Sequence, residues 1–486
     1  MRTPVEDLGL ANARLDRTVG RLLRSLPAPE ILALLERVED LALSRRLMYF
    51  SDGEATPIRV LLRPLVALPE QLAYARYASG TVQNALKRLP DLVFADPDVR
   101  ALLRLEEAEE RWLRDCWGPS HREVNPVLGR LDAVLDFTAT NWRDTLCFLE
   151  ANLTGIGGLQ LVPACERIIA DEVLPRLARL DPTVRLLPNV DLRELLMQEI
   201  TDHLEAIGRR GEHVCFVEPK YAGSGPDEQE ELARHLRSRY GLRLLHADPA
   251  ELSLRGGEVI YDGVVVDIAY RDYSVLDLVE LEAEGVDVEP MRLLLRENRV
   301  VSSIAGDLDG KAAFELLTEP ALAARHFRVA ERQLFRRHVP WTRVLGDRRT
   351  TLPDGHEGDL LEHVRRGREE LVLKPDRGYG GEDVLVGPAT TQAEWERALD
   401  RAHSGADGRW VVQRAAALPS LTSPVRGDDG GVAEASFFVV LGLIPSRYGL
   451  GVVARASQAP VVNVAQHGGM CALVIGAPLA GLEELT

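Results

Sequence analysis

Apolar residues change their spacing several times along the chain. Through residues 1–118, segments such as EILALLERVEDLALSRRL and RALLRLEEAEERWLRDCW place them three and four apart, the repeat of an amphipathic helix. Gly118-Pro119 ends that pattern. In residues 128–152 it shortens: LDAVLDF and TLCFLEAN read as two strands joined by the polar stretch TATNWRD. Residues 163–210 return to helical spacing. Residues 213–271 then alternate, with HVCFVEP a strand, DEQEELARHLRSRY a helix, LRLLHAD a strand, and EVIYDGVVVDIAYRD a hairpin turning at Asp262-Gly263. In the last block LVLKPDRGYGGEDVLVG reads as strand, glycine loop, strand, and WVVQRAA and ASFFVVLGLIPSRYGLGVVARAS continue as sheet. Residues 346–358 and 418–431 are rich in Gly, Asp and Pro and are expected as mobile loops. Mixed helices and strands of this kind predict an α/β (α+β) protein, with a Rossmann-like unit inside it.

A chain of 486 residues exceeds one core. The divisions expected are 1–118 (helical), 119–165 (paired strands), 166–300 (Rossmann-like) and 301–486. A net charge of −17 argues against nucleic acid as partner, since phosphate backbones need a basic face, and 5% aromatic residues are too sparse for base stacking. Five cysteines without a CxxC pair read as reduced thiols, hence a cytoplasmic protein. The first residues carry no apolar signal region and no stretch is long and apolar enough for a membrane span, so no membrane partner is expected.

Among the 58 basic residues only Lys87, Lys220, Lys311 and Lys374 are lysine, the other 54 being arginine. Codon bias explains the excess of arginine. It does not explain where lysine survives, and a compact ammonium aimed at one phosphate oxygen is poorly replaced by a planar fork. Lys374 ends an apolar strand and precedes Gly378-Tyr379-Gly380-Gly381. Three glycines in four residues let backbone N–H groups wrap an anion; an ordinary glycine hairpin with a solvated lysine fits the same letters. Lys311, in SIAGDLDGKAAFELL, has Ala305 and Ala312 where a P-loop needs Gly and Ser or Thr, so a Walker motif is excluded. The remaining readings are a loop that sends Lys311 from the first helical turn to a nucleotide, or a plain helix start, where a cation is unfavourable. Glu150 and Asn152 alternate on one strand and share a face. With Asp136 from the preceding strand they suit Mg²⁺, although for Glu150 alone a solvent-facing polar residue on an amphipathic strand is the better reading. Gln413, Arg414 and Ala415, at the end of WVVQRAA, offer backbone groups to an adenine edge or belong to a plain core strand. Arg455 and Asn463, with Gly468-Gly469, stand in strand context where an arginine neutralises a transferring phosphoryl group or merely lines a sheet edge.

Together these segments resemble the circularly permuted ATP-grasp family, of which glutathionylspermidine synthetase is the best-known member. The likeness runs over about residues 120–475, in the order LDF, LEAN, VDIAYRDY, GKAAFELL, LVLKPDRGYGG, VVQRA, VARAS and VNVAQHGG. It implies an ATP-grasp fold of permuted order with a Rossmann-like unit ahead of the nucleotide lysines. Lys311, Lys374 and the loop Gly378, Tyr379, Gly380 and Gly381 would hold ATP phosphates, and Gln413, Arg414 and Ala415 would lie along adenine. Asp136, Glu150 and Asn152 would hold Mg²⁺, and Arg455 would stabilise an acyl-phosphate. The implied activity joins a carboxylate to an amine on small molecules or peptides. The chain departs from the family in three places. The arginine two residues before the magnesium aspartate falls at Val134, with Arg130 or Arg143 as substitutes in space. Arg414 stands where the hinge strand usually carries glutamate. The N-terminal amidase is replaced by helical residues. The competing readings are a non-catalytic nucleotide- or peptide-binding relative, and a helical interaction protein with an α/β appendage.

Overall fold

The computed structural model describes residues 3–51, 54–219, 225–226, 228–241, 243–378, 381, 383–405, 408–462 and 468–477. Lys220, Tyr379, Gly380 and Asn463 lie outside the described residues.

Helices open the chain. α1 (Pro4–Arg24) starts at a capping box in which Thr3 and Glu6 satisfy each other's free N–H groups. α2 (Ala28–Ser44) and α3 (Pro69–Leu86) follow, then the short α4 (Pro97–Leu103) and α5 (Glu107–Cys116). The region is not wholly helical, however. Strands Arg59–Val60 and Leu65–Ala67 pair in parallel with residues 469–470 and 473–475. Their sequence, RVLLRPLVA, has no period-2 alternation, because these edge strands are specified by partners some 400 residues away rather than by a local pattern.

β1 (Arg130–Val134) and β2 (Cys147–Asn152) pair antiparallel as the strand pattern predicts. After α6 (Leu161–Glu172) the chain builds a four-stranded parallel sheet. Its strands are β3 (His213–Val217), β4 (Arg243–Ala247), β5 (Ile268–Arg271) and β6 (Val300–Val301), in the order β4-β3-β5-β6. The hairpin inserted before β5 turns at Asp262 (φ 48°) and Gly263 (φ 74°), the left-handed pair a two-residue turn needs. α7 (Ala313–Thr318) then leads to a second, antiparallel four-stranded sheet of β7 (Thr342–Val344), β8 (Leu371–Pro375), β9 (Leu385–Val386) and β10 (Trp410–Arg414), ordered β7-β10-β8-β9. One face of that sheet has its own core: Leu371, Leu373, Trp410 and Val412 bury against Trp395 and Leu399 of α8 (Gln392–Ser404).

The third and largest sheet has seven strands. Its axis is the 15-residue β12 (Val432–Ser446). One edge of β12 pairs with β13 (Gly449–Ser457). The other takes β11 (Ser420–Arg426) along its first half and β1 along its second. β14 (Gly469–Met470) and Arg59–Val60 complete the far edge, and β2 the near one. Half of 418–431 is thus strand, contrary to the loop reading: its Gly and Asp residues form only the turn at 427–431, where Gly427 N–H donates to Gly431 O. Residues 346–358 likewise hold all but the last residue of a short hairpin, 349–351 with 357–359. α3 covers the large sheet with small buried residues, Ala75, Ala78, Val82 and Ala85. Among the described residues no helix is long and apolar enough to cross a membrane.

Candidate functional site

The cleft between the two antiparallel sheets collects most of the residues singled out from the sequence. Its floor is the β1–β2 ladder. Asp132 stands opposite Glu150 and Arg130 opposite Asn152, so all four share one face. Between Asp132 and Ala133 the register slips by one residue, leaving Leu149 as an unpaired bulge. Two strands away, β13 contributes Arg455.

Asp132 is the centre of this floor. It is 3% exposed and accepts Arg130 Nε at 2.8 Å on one oxygen and Arg455 Nη2 at 2.7 Å on the other. Burial pushes its carboxyl upward, but the two guanidinium groups outweigh burial and hold it at about 2. Asn152 Nδ2 lies 3.4 Å from the same carboxylate. The side chain of Arg130 crosses β12 at Gly442, where a Cβ would come within 2.4 Å of the arginine Cδ.

Asp136 is not part of this group. β1 ends at Val134, and the Asp136 carboxylate is turned into the connection, accepting Thr138 N–H at 2.9 Å and Thr138 Oγ1 at 2.7 Å. It does not line the cleft; Asp132 does. The cause is local. LDAV and LDF each offer an aspartate after leucine, and only the pairing with β2 decides which one faces Glu150. An arginine, absent two residues before Asp136, does stand two residues before Asp132, as Arg130-Leu131-Asp132.

The opposite wall is β8 and β10. On β8 the residues alternate: Leu371 and Leu373 enter the small core, while Val372 and Lys374 face the cleft. Lys374 is 7% exposed; its ammonium donates to Gln413 Oε1 at 2.8 Å and to the bulge carbonyl of Leu149 at 3.2 Å. Burial pushes it below the ordinary lysine range, Glu150 pulls it back and Lys311 adds to the depression. Gln413, 2% exposed, is fixed in turn by Nε2 to Thr342 Oγ1 at 3.0 Å. Lys311 lies just before α7 rather than in its first turn. Its Nζ is 3.0 Å from Gly378 O and 3.7 Å from a Glu150 oxygen. Glu150 and the two lysines therefore meet across more than 220 residues of sequence. Gly378, at φ 147°, holds a backbone that a side chain would strain, and Gly381 lines the cleft.

Gln413, Arg414 and Ala415 border the cleft, but the Arg414 N–H donates to Trp341 O at 2.9 Å and the Ala415 N–H to Glu370 O at 2.7 Å, so both are already engaged. Arg414 itself is exposed. The empty space along the open cleft, solvent included, is about 810 Å³. Its lining is partly apolar, with Val372, Val386, Leu418, Val440 and Val462, and partly polar, with Asp132, Glu150, Lys374 and Arg455. Beyond Asn152 and Lys311 lies a second, acidic hollow lined by Asp277, Asp307 and Asp309. Burial, above all, pushes the Asp309 carboxyl up to about 7.

Among the described residues no group of three or more His, Cys, Asp or Glu is arranged to hold a metal ion. The donors present are two carboxylates and one amide, Asp132, Glu150 and Asn152. Such a small set of hard oxygens fits Mg²⁺, which keeps waters and shares phosphate oxygens, and does not fit a metal that needs a full protein cage. Four cations, Arg130, Lys311, Lys374 and Arg455, face those two carboxylates. The site is net positive within a chain of charge −17.

No family model and no curated protein matches this chain. Among solved structures it is similar to a glutathione synthetase-like effector (GSS30) from Globodera pallida, determined in its apo form. The TM-score is 0.57 and the identity 13%, over 93% of this chain and 98% of the other. At that identity the likeness is one of fold, and the chain has a glutathione synthetase-like fold.

Proposed function

We propose that the protein is an ATP- and Mg²⁺-dependent ligase of the ATP-grasp type, with the permuted strand order, joining a carboxylate to an amine through an acyl-phosphate. The observation that carries this reading is the meeting of Lys311, Lys374 and Glu150 between two antiparallel sheets, in a chain that otherwise uses arginine for positive charge. The apolar part of the cleft lining suits a purine ring, and the two lysines suit phosphates. Asp132, Glu150 and Asn152 would hold Mg²⁺, which would supply charge neutralisation for phosphoryl transfer. Arg130 and Arg455 flank the place where a carboxylate would meet the terminal phosphate, where guanidinium groups would neutralise developing charge. The acidic hollow past Asn152 suits a cationic amine.

The non-catalytic alternative rested on the absent arginine. Arg130, standing two residues before Asp132 and bonded to it, weighs against that alternative.

The reading is tested by calorimetry and ADP release. Lys374→Ala should weaken ATP binding strongly, because bound phosphate loses a buried partner, and Lys374→Arg should not restore it. Glu150→Gln should leave nucleotide affinity nearly unchanged while lowering turnover about a hundredfold, the size of one lost transition-state electrostatic partner. Equal ATP affinity in the wild type and both Lys374 variants would remove the nucleotide from this cleft.

A further inference from the structure

Lys311 stands on a loop bonded to a buried carboxylate at the end of β8. Asp376, 3% exposed, follows β8 directly. Its Oδ1 accepts the Ala312 N–H at 2.6 Å, and its main-chain carbonyl accepts the Lys311 N–H at 3.1 Å. The other oxygen, Oδ2, takes the Arg409 guanidinium through Nε at 2.8 Å and through Nη2 as well.

Arg409 continues into the N-terminal region. Its Nη1 donates to Leu102 O at 2.6 Å and its Nη2 to Leu103 O at 2.8 Å. These are the last carbonyls of α4, which have no partner within the helix and carry the negative end of its dipole. Arg104 then leaves the helix in the left-handed region, at φ 46°. The other end of α4 is held too. Asp96 caps it by accepting the Asp98 N–H at 2.9 Å, and is itself bound by His326 at 2.8 Å and Arg325 at 3.0 Å. A second tether lies beside the first, since Arg377 donates to the buried Glu109 of α5 at 2.8 Å.

We infer that Asp376 is a positioning residue for Lys311, and that the N-terminal region, through α4 and Arg409, fixes it in place. The N-terminal helices are on this account part of the phosphate end of the cleft rather than a separate interaction module. The consequence for nucleotide binding rests on the reading under Proposed function; the mechanical coupling does not.

The experiment separates the two. Amide hydrogen exchange at Lys311 and Ala312 is measured without nucleotide in wild type, Arg409→Ala and Asp376→Asn, and ATP affinity is measured in the same proteins. Asp376→Asn retains shape and an oxygen for the Ala312 N–H but sets an amide donor against Arg409. Val82→Ala, in α3 and remote from the latch, controls for general loss of stability. Both latch variants should speed exchange at residues 311–312 and weaken ATP binding, each about tenfold, the factor one lost charge-assisted bond produces. Val82→Ala should change neither. Unchanged exchange in the latch variants, or equal changes in Val82→Ala, overturns the coupling. Faster exchange with wild-type ATP affinity overturns the positioning role. A wild type that binds no ATP defeats the nucleotide reading alone, because the exchange result stands without it.

Discussion

At the scale of single residues, the site is governed by Asp132 and its two arginines. A carboxylate with both oxygens in guanidinium bonds is a fixed charge, and it holds Arg130 and Arg455 side by side. Its folded pKa lies below its unfolded one, so it contributes stability above pH 4. That contribution is lost as pH falls from the ordinary aspartate range to about 2. A shift of that size corresponds to about 2 kcal/mol. Asp132→Asn should therefore unfold at lower denaturant concentration than wild type at pH 7, with the difference shrinking towards pH 2, and should lose turnover. Asp136→Asn disturbs only the turn at Thr138 and should retain activity. Denaturant titrations across pH, with ADP release for both variants, check the assignment. A loss of turnover in Asp136→Asn with an active Asp132→Asn reverses it.

At the scale of elements, two backbone devices shape the cleft. The bulge at Leu149 turns a carbonyl towards Lys374 while keeping Glu150 opposite Asp132. On β12, a glycine opposite Asp132 leaves the groove through which Arg130 passes. Gly442→Ala would place a methyl against the middle of the arginine stem, at 2.4 Å from Cδ and 2.7 Å from Cγ, where no flexible tip can yield. The guanidinium must then leave Asp132. The expected outcome is a folded protein with a loss of stability of about 1–3 kcal/mol and a loss of turnover like that of Arg130→Ala, with ATP affinity kept. Circular dichroism and steady-state kinetics measure both. Turnover unchanged from wild type would show that Arg130 does not need this path.

At the scale of the molecule, the cleft exists because strands from three distant parts of the chain share one sheet. Arg59–Val60 closes the edge beside β14, β1 and β2 form the other edge, and β11 to β14 lie between them. α3 covers that sheet. Residues 1–118 thus supply edge strands and one wall of the core as well as the latch on Lys311. Removing them would expose the apolar face that Ala75, Ala78, Val82 and Leu86 bury, and would leave β14 an open edge. The chain from residue 119 onward should be insoluble or lack a cooperative thermal transition. A truncated protein that melts cooperatively and binds ATP would overturn both this view and the coupling through Arg409.

The alternation in FLEAN, the helical repeats, the Asp262-Gly263 hairpin and the isolated Lys311 and Lys374 were legible in the sequence, because each is a local pattern repeated within a few residues. The glutathione synthetase-like fold agrees with the class those patterns predict. Three matters were decided only by the tertiary structure. Asp132 rather than Asp136 faces Glu150, because strand register depends on the partner strand and its bulge, and two leucine–aspartate pairs in one segment look alike. The strands at 59–67 are invisible locally, because their hydrogen-bond partners begin at residue 469. The role of Asp376 and Arg409 is hidden for the same reason: a charge is a latch only when a helix end from residue 102 arrives beside it. Local spacing encodes which face a residue takes, and packing between distant segments determines what that face meets.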